Sequence, residues 1–115
     1  MKILLISILS FLLSLSMATD DSGNFAGVIT NNITNAPIEN VVITVKGDYA
    51  LEHVYTNYFG EYWVIGLKPG RYTIIVTSEY YYSFISYNNY VTDGKTTVVN
   101  FKLIPKIYDK HIYKK

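Results

Sequence analysis

The chain has no cysteine, which excludes a disulfide framework, a thiolate nucleophile and a cysteine-based zinc site. It has two histidines, His53 and His111, and neither falls in a His-x-x-Glu or His-Glu-x-x-His spacing. A zinc hydrolase needs three N or O ligands, an open position and a general base, so the pattern speaks against one. Neither histidine has the Ser and Asp neighbours of a serine hydrolase. The seven glycines stand singly at turn-like places, with no strand-to-helix glycine loop to cradle a phosphate. A calcium loop needs clustered carboxylates, and Asp20-Asp21 with the lone Asp93 do not form one. The expectation is a protein that is not an enzyme, with no catalytic residue, no metal ligand and no cofactor.

An excess of charge of one sign is missing too. Ten basic and nine acidic side chains give a formal net charge of +1 over 115 residues, so a nucleic-acid partner is not expected. The start, "MKILLISILSFLLSLSMATDDSG", has Lys2, an apolar run from Ile3 to about Leu15, and small residues at Ser16 and Ala18. This predicts a signal peptide over residues 1–18, cleaved between Ala18 and Thr19. A retained N-terminal anchor is the competing reading, but the run is shorter than the roughly 20 residues that span a bilayer. Loss of the leader removes Lys2 and leaves a formally neutral chain with no further transmembrane segment. The expected location is secreted, periplasmic or at the cell surface. A domain of this length without disulfides relies on its apolar core alone, and the size suffices.

What the chain does have is aromatic and β-branched residues in alternation. It is 50% hydrophobic, with twelve tyrosines against one tryptophan and five phenylalanines. After a polar lead over residues 19–24, alternation runs from Phe25 to Leu103 with turn signals every eight to twelve residues, the spacing of an antiparallel sandwich or barrel. Phe25, Gly27 and Ile29 share one face of the first strand; Val41, Ile43 and Val45 share one face of the second. A less regular run, "YALEHVYT", comes next. "EYWVIGL" turns Tyr62, Val64 and Leu67 inward and Trp63 and Ile65 outward, and "RYTIIVTS" turns Tyr72, Ile74 and Val76 inward. Between these two, Lys68-Pro69-Gly70 predicts a type II turn, with Pro presetting its first central position and Gly supplying positive φ, so that the two arms form a hairpin. "YYYSFISY" predicts a strand, "NNYVTDGK" a loop, and "TTVVNFKL" a last strand with Val99, Phe101 and Leu103 on one parity. A short helix is expected after Pro105.

These stretches together resemble the carboxypeptidase regulatory-like domain, a transthyretin-like (prealbumin-like) Greek-key β-sandwich of about seven strands. The resemblance rests on Gly27-Val28-Ile29, on Pro37-Ile38 before Val41, Ile43 and Val45, on Thr56-Asn57 with Gly60 and Tyr62, and on Leu67-Lys68-Pro69-Gly70-Arg71-Tyr72. It covers residues 25–104 and leaves a basic tail over 105–115. Gly60, Pro69 and Gly70 are its structural turn positions. Asn40-Val41 replaces the family's Gly-Ala, and Asn57 replaces its Asp. The resemblance implies an accessory module, since family members are usually fused to enzymes, transporters or surface proteins. Related adhesin domains carry a Lys–Asn isopeptide bond; Asn100 stands at a suitable place, but the first strand offers no lysine and Lys46 points outward.

The remaining candidate is an aromatic surface. Trp63 lies opposite in parity to Tyr62 and Val64, and alternation cannot bury all of Tyr80, Tyr81 and Tyr82. Exposed rings suit stacking on sugars or packing against a protein, with Arg71 as a polar neighbour. The plainer reading is cross-strand packing, with Arg71 in a cation–π contact beside Trp63. Asn32-Ile33-Thr34 fits the N-glycosylation pattern. The functional expectation is a non-catalytic module for protein interaction or structural support at the cell envelope. The alternatives are a carbohydrate-binding module and an accessory subunit of a peptidase or envelope transporter.

Overall fold

A computed structural model describes residues 21–106. The leader, the tail beyond Lys106, His111 and the expected C-terminal helix lie outside the described residues. Within them are eight strands: β1 Gly23–Asn31, β2 Val42–Lys46, β3 Leu51–Tyr55, β4 Glu61–Leu67, β5 Gly70–Ser78, β6 Tyr81–Val91, β7 Thr96–Val98 and β8 Phe101–Leu103. They form two four-stranded sheets. Sheet one has the order β4-β1-β7, with β8 continuing along the same side of β1; sheet two has the order β3-β2-β5-β6. Strand β1 is antiparallel to β4 and parallel to β7 and β8, whereas every pair in sheet two is antiparallel.

The inward parity follows the hydrophobic alternation. Phe25 and Ile29 of β1, Ile43 and Val45 of β2, Tyr62 and Val64 of β4, and Ile74 and Val76 of β5 are all buried, as are Phe101 and Leu103. Each such aliphatic side chain contributes about 1.5–3 kcal/mol of burial free energy. Phe25 meets Tyr72 edge-on across the two sheets at 5.9 Å between ring centroids. The tyrosines in this core keep their hydroxyls satisfied: Tyr62 donates to the Val99 carbonyl at 2.6 Å and Tyr72 to the Lys68 carbonyl at 2.7 Å. Burial pushes both phenols above the ordinary tyrosine range.

The residues that carry the family likeness have visible work. Thr56 is buried; its hydroxyl donates to the Ile38 carbonyl at 2.7 Å and accepts from the Val41 amide at 2.9 Å, tying the β1–β2 connection to the end of β3. Asn57 Oδ1 accepts from the amides of Phe59 and Glu61, a task that needs only an acceptor oxygen and so tolerates Asn for Asp. Gly60 has φ +75°, and a Cβ there would press on the Ile29 carbonyl.

Three sequence expectations change. The predicted last strand divides into β7 and β8, because the chain at Val99 moves in against Gly27, where a Cβ would run into the Val99 carbonyl. The side-chain oxygen of Asn100 then takes the Val28 amide at 2.8 Å in place of a backbone acceptor. The predicted loop "NNYVTDGK" is half strand: β6 continues through Asn88, Asn89 and Tyr90 to Val91 before turning at Asp93-Gly94. Finally, Lys68-Pro69-Gly70 closes no hairpin: it forms a bend that carries the chain from β4 in sheet one to β5 in sheet two, and Gly70 has φ +152°, far from the roughly +80° of a type II turn.

Candidate binding surfaces

The outer face of sheet one carries an exposed apolar strip. Trp63 on β4 lies directly across from Ala26 on β1, and Ala26 in turn pairs with Val98 on β7. Trp63, Ile65 and Val98 are 53%, 75% and 66% exposed. The small Ala26 between them leaves no side chain standing above the strip. Asn24 borders it: its Nδ2 donates to Thr96 Oγ1 at 3.1 Å and its Oδ1 accepts from the Gly66 amide at 3.1 Å.

Arg71 is elsewhere. It lies on β5 in sheet two, paired with Tyr90 of β6, and its parity is that of the outer face of that sheet. The expected cation–π contact with Trp63 is therefore corrected: the two residues occupy opposite outer faces of the sandwich. Among the described residues a cation does approach a ring at Lys106, 6.0 Å from the centroid of Tyr82.

The three consecutive tyrosines take three different places. Tyr80 sits in the β5–β6 turn and is exposed; Tyr81 turns inward against the core edge, its hydroxyl accepting from Asn31 Nδ2 at 3.2 Å; Tyr82 faces out beneath Lys106. The cause is a bulge. Val76 pairs with Phe84 but Ser78 with Tyr81, so Tyr82 and Ser83 together oppose the single residue Thr77. Tyr80, Tyr81, Ile33 and Pro105 help line a mainly apolar groove of about 580 Å³ at this end of the sandwich. Asn32 is exposed in the neighbouring turn.

A second bulge shapes the outer face of sheet two. Tyr72 pairs with Asn89 and Ile74 with Ser86, so Tyr87 and Asn88 oppose Thr73 alone, and Asn88 adopts φ +61°. Asn89 secures this step: its amide donates to the Ser86 carbonyl at 2.8 Å and the Tyr72 carbonyl at 3.2 Å, while its oxygen accepts from Ser86 Oγ at 3.1 Å. Beside the bulge opens a cleft of about 420 Å³ bounded by Lys46, Asp48, Arg71, Tyr87 and Asn88, with Thr73, Ile75 and Ile85 as its floor. Sequence reading missed this cleft apart from Arg71. The signal was the Asn88-Asn89 pair, an interruption of alternation that marks a bulge as readily as a loop.

The remaining chemistry is sparse. Among the described residues no three His, Asp or Glu side chains gather to hold a metal ion, and His53 is an exposed β3 residue whose Nδ1 lies 2.9 Å from Thr44 Oγ1. With its oxygen on Val28, Asn100 is held in the ladder of sheet one, while Lys46 stands on the other sheet and Lys102 Nζ donates to Asn35 Oδ1. Among the described residues no helix is long and apolar enough to cross a membrane.

Two facing sheets around a shared apolar core of aliphatic and aromatic side chains define a transthyretin-like β-sandwich. The chain belongs to the carboxypeptidase regulatory-like domain family, which it matches over residues 24–104. No curated protein matches it. Among solved structures, the Bacillus anthracis TIE protein is similar at a TM-score of 0.66 and 17% identity, over 74% of this chain and 17% of that one. A Bacteroides uniformis protein assigned provisionally to carbohydrate binding has a TM-score of 0.62 at 20% identity, over 74% of this chain and 42% of its own. The group B streptococcus pilus 2b backbone protein has a TM-score of 0.57 at 13% identity, over 73% of this chain and 41% of its own. The chain thus spans less than half the length of each, and at these identities the likeness is one of fold.

Proposed function

We propose that this protein is a non-catalytic module of the cell envelope, secreted or periplasmic, that holds a protein partner through the outer face of sheet one. The observation that carries this reading is the exposed apolar strip of Trp63, Ala26, Ile65 and Val98, whose large side chains are more than half exposed. Apolar side chains held on a paired sheet bury large area with little loss of conformational freedom, which favours an interaction surface. The family of accessory modules and the fold neighbour from a pilus support the same reading. The fold also occurs in an enzyme, the 5-hydroxyisourate hydrolase of Klebsiella pneumoniae, so the non-catalytic reading rests on this chain's own side chains.

Cross-linked pull-down from the native envelope fraction, with wild-type and Trp63→Ala protein side by side, tests it. A partner lost in the variant supports the strip as the contact surface; the same partner with both proteins returns Trp63 to a packing role. A carbohydrate ligand is the second reading for this strip, favoured by the exposed Trp63 ring, and a glycan array without a Trp63-dependent signal removes it. An accessory role beside a peptidase or transporter would emerge from the identity of the captured partner.

A further inference from the structure

The geometry points to a second site, separate from the Trp63 strip: the cleft on the outer face of sheet two binds a carboxylate-bearing sugar, a uronic acid unit of a glycan. Two cations converge there. Lys46 pairs directly across from Thr73, and Arg71 stands two residues along β5 on the same face, so the side chains are diagonal neighbours. Neither side chain has an ion-pair or hydrogen-bond partner among the described residues. Two like charges left unpaired in one recess of a nearly neutral chain are an arrangement that an anion relieves.

The rest of the lining narrows the anion. The guanidinium fork of Arg71 matches the two oxygens of a carboxylate, with Lys46 as an adjacent point charge. Asp48 on the same wall works against a multiply charged group such as phosphate, yet accepts hydrogen bonds from hydroxyls. Thr73 and Asn88 add a hydroxyl and a side-chain amide, each able to donate and accept. Tyr87, 68% exposed at the rim, offers a ring face to the apolar side of a pyranose. A volume near 420 Å³ falls within the ~300–1,000 Å³ of small-molecule sites. An acidic peptide fits less well, since β5 and β2 at the floor already have strands on both sides and offer no edge for backbone pairing. The bulge gives the site its form: without the extra residue, Tyr87 and Asn88 would not both stand over Thr73.

The test uses the protein expressed from the full sequence, labelled with ¹⁵N and titrated with trisaccharides of galacturonate, glucuronate and mannuronate, and with their methyl esters. The expected result is saturable shifts of the Lys46, Thr73 and Asn88 amides with at least one acid, loss of binding on esterification, and weakening with added salt. Arg71→Ala and Tyr87→Ala each reduce affinity at least tenfold with an unchanged melting temperature, while Trp63→Ala binds as wild type. The assignment is overturned by binding of none of the acids, by equal binding of acid and ester, or by shifts confined to the Trp63 strip. It is equally overturned if inorganic phosphate or a hexaglutamate peptide occupies the cleft as tightly as the sugar. Because Trp63→Ala leaves this site intact, failure here and failure of the partner-holding reading are seen separately.

Discussion

The two outer faces of the sandwich differ in shape for a reason that lies in their strand pairing. On sheet one, β1 has partners on both sides in steady register from Phe25 onward and Ala26 separates Trp63 from Val98; its one register shift sets Ile65 and Gly66 opposite Asn24, at the end of the exposed strip. On sheet two, the long edge strand β6 carries two extra residues against β5, and each bulge re-aims the side chains beyond it. The two faces therefore suit the two different ligands proposed for them: an exposed strip can lie against another extended surface, whereas a recess beside a bulge can enclose something small. The bulges also spoil β6 as a template for strand addition, which an aromatic edge of eleven residues would otherwise invite.

The comparison breaks most sharply at Gly27. Gly27→Ala drives a methyl into the Val99 carbonyl and toward the Tyr62 ring, so sheet one should lose about 3 kcal/mol or more, or fail to close, as read by urea unfolding. Tyr62→Phe leaves the Val99 carbonyl without its donor and should cost about 1–2 kcal/mol. It also changes the pH profile. Folded Tyr62 holds its proton more tightly than the unfolded side chain, so above the ordinary phenol pKa of about 10 the unfolded state binds fewer protons and stability falls as pH rises. Unfolding followed from pH 8 to 11 should show that fall in wild type and a shallower one in Tyr62→Phe, with Tyr72 supplying the remainder.

On sheet two, Asn89→Ala removes both donors that secure the second bulge and should cost about 1 kcal/mol, with amide shifts confined to β6 and the adjoining part of β5. An effect of that size with no local shift would detach the bulge from the shape of the cleft. Trp63→Ala is the smallest: within about 0.5 kcal/mol by thermal melting, because the side chain is more than half exposed and faces an alanine. A large drop would make the strip structural.

Period-two alternation made the inward set of β1, β2, β4 and β5 legible, since in those strands one face meets the core and the other meets solvent or a polar neighbour. It failed on β6. Ile85 and Tyr87 face out at odd positions, then Tyr90 faces out at an even one, because Asn88 is the extra residue; a strand that changes parity midway reads as a strand followed by a loop. The position of Arg71 was hidden for another reason. Local parity says that Arg71 and Trp63 both point outward, but not that the bend between them carries the chain from one sheet to the other. The cleft depends on that crossing and on the bulge together, so the sequence could mark Arg71 and the outward parity of Lys46 but not bring them into one recess.

The parallel pairing of β1 with β7 and β8 bears on how the domain would respond to a pull on its ends. The chain enters sheet one near Gly23 and leaves it near Leu103, at opposite ends of the same run of paired strands. A pull between those two points acts along the strands, so it loads the β1–β7 and β1–β8 hydrogen bonds in shear, all at once, rather than peeling them one by one. Resistance to such a pull is a matter of unfolding rate, not of equilibrium stability. Set in line with other parts of an envelope structure, this sandwich would transmit tension across its length before it yielded.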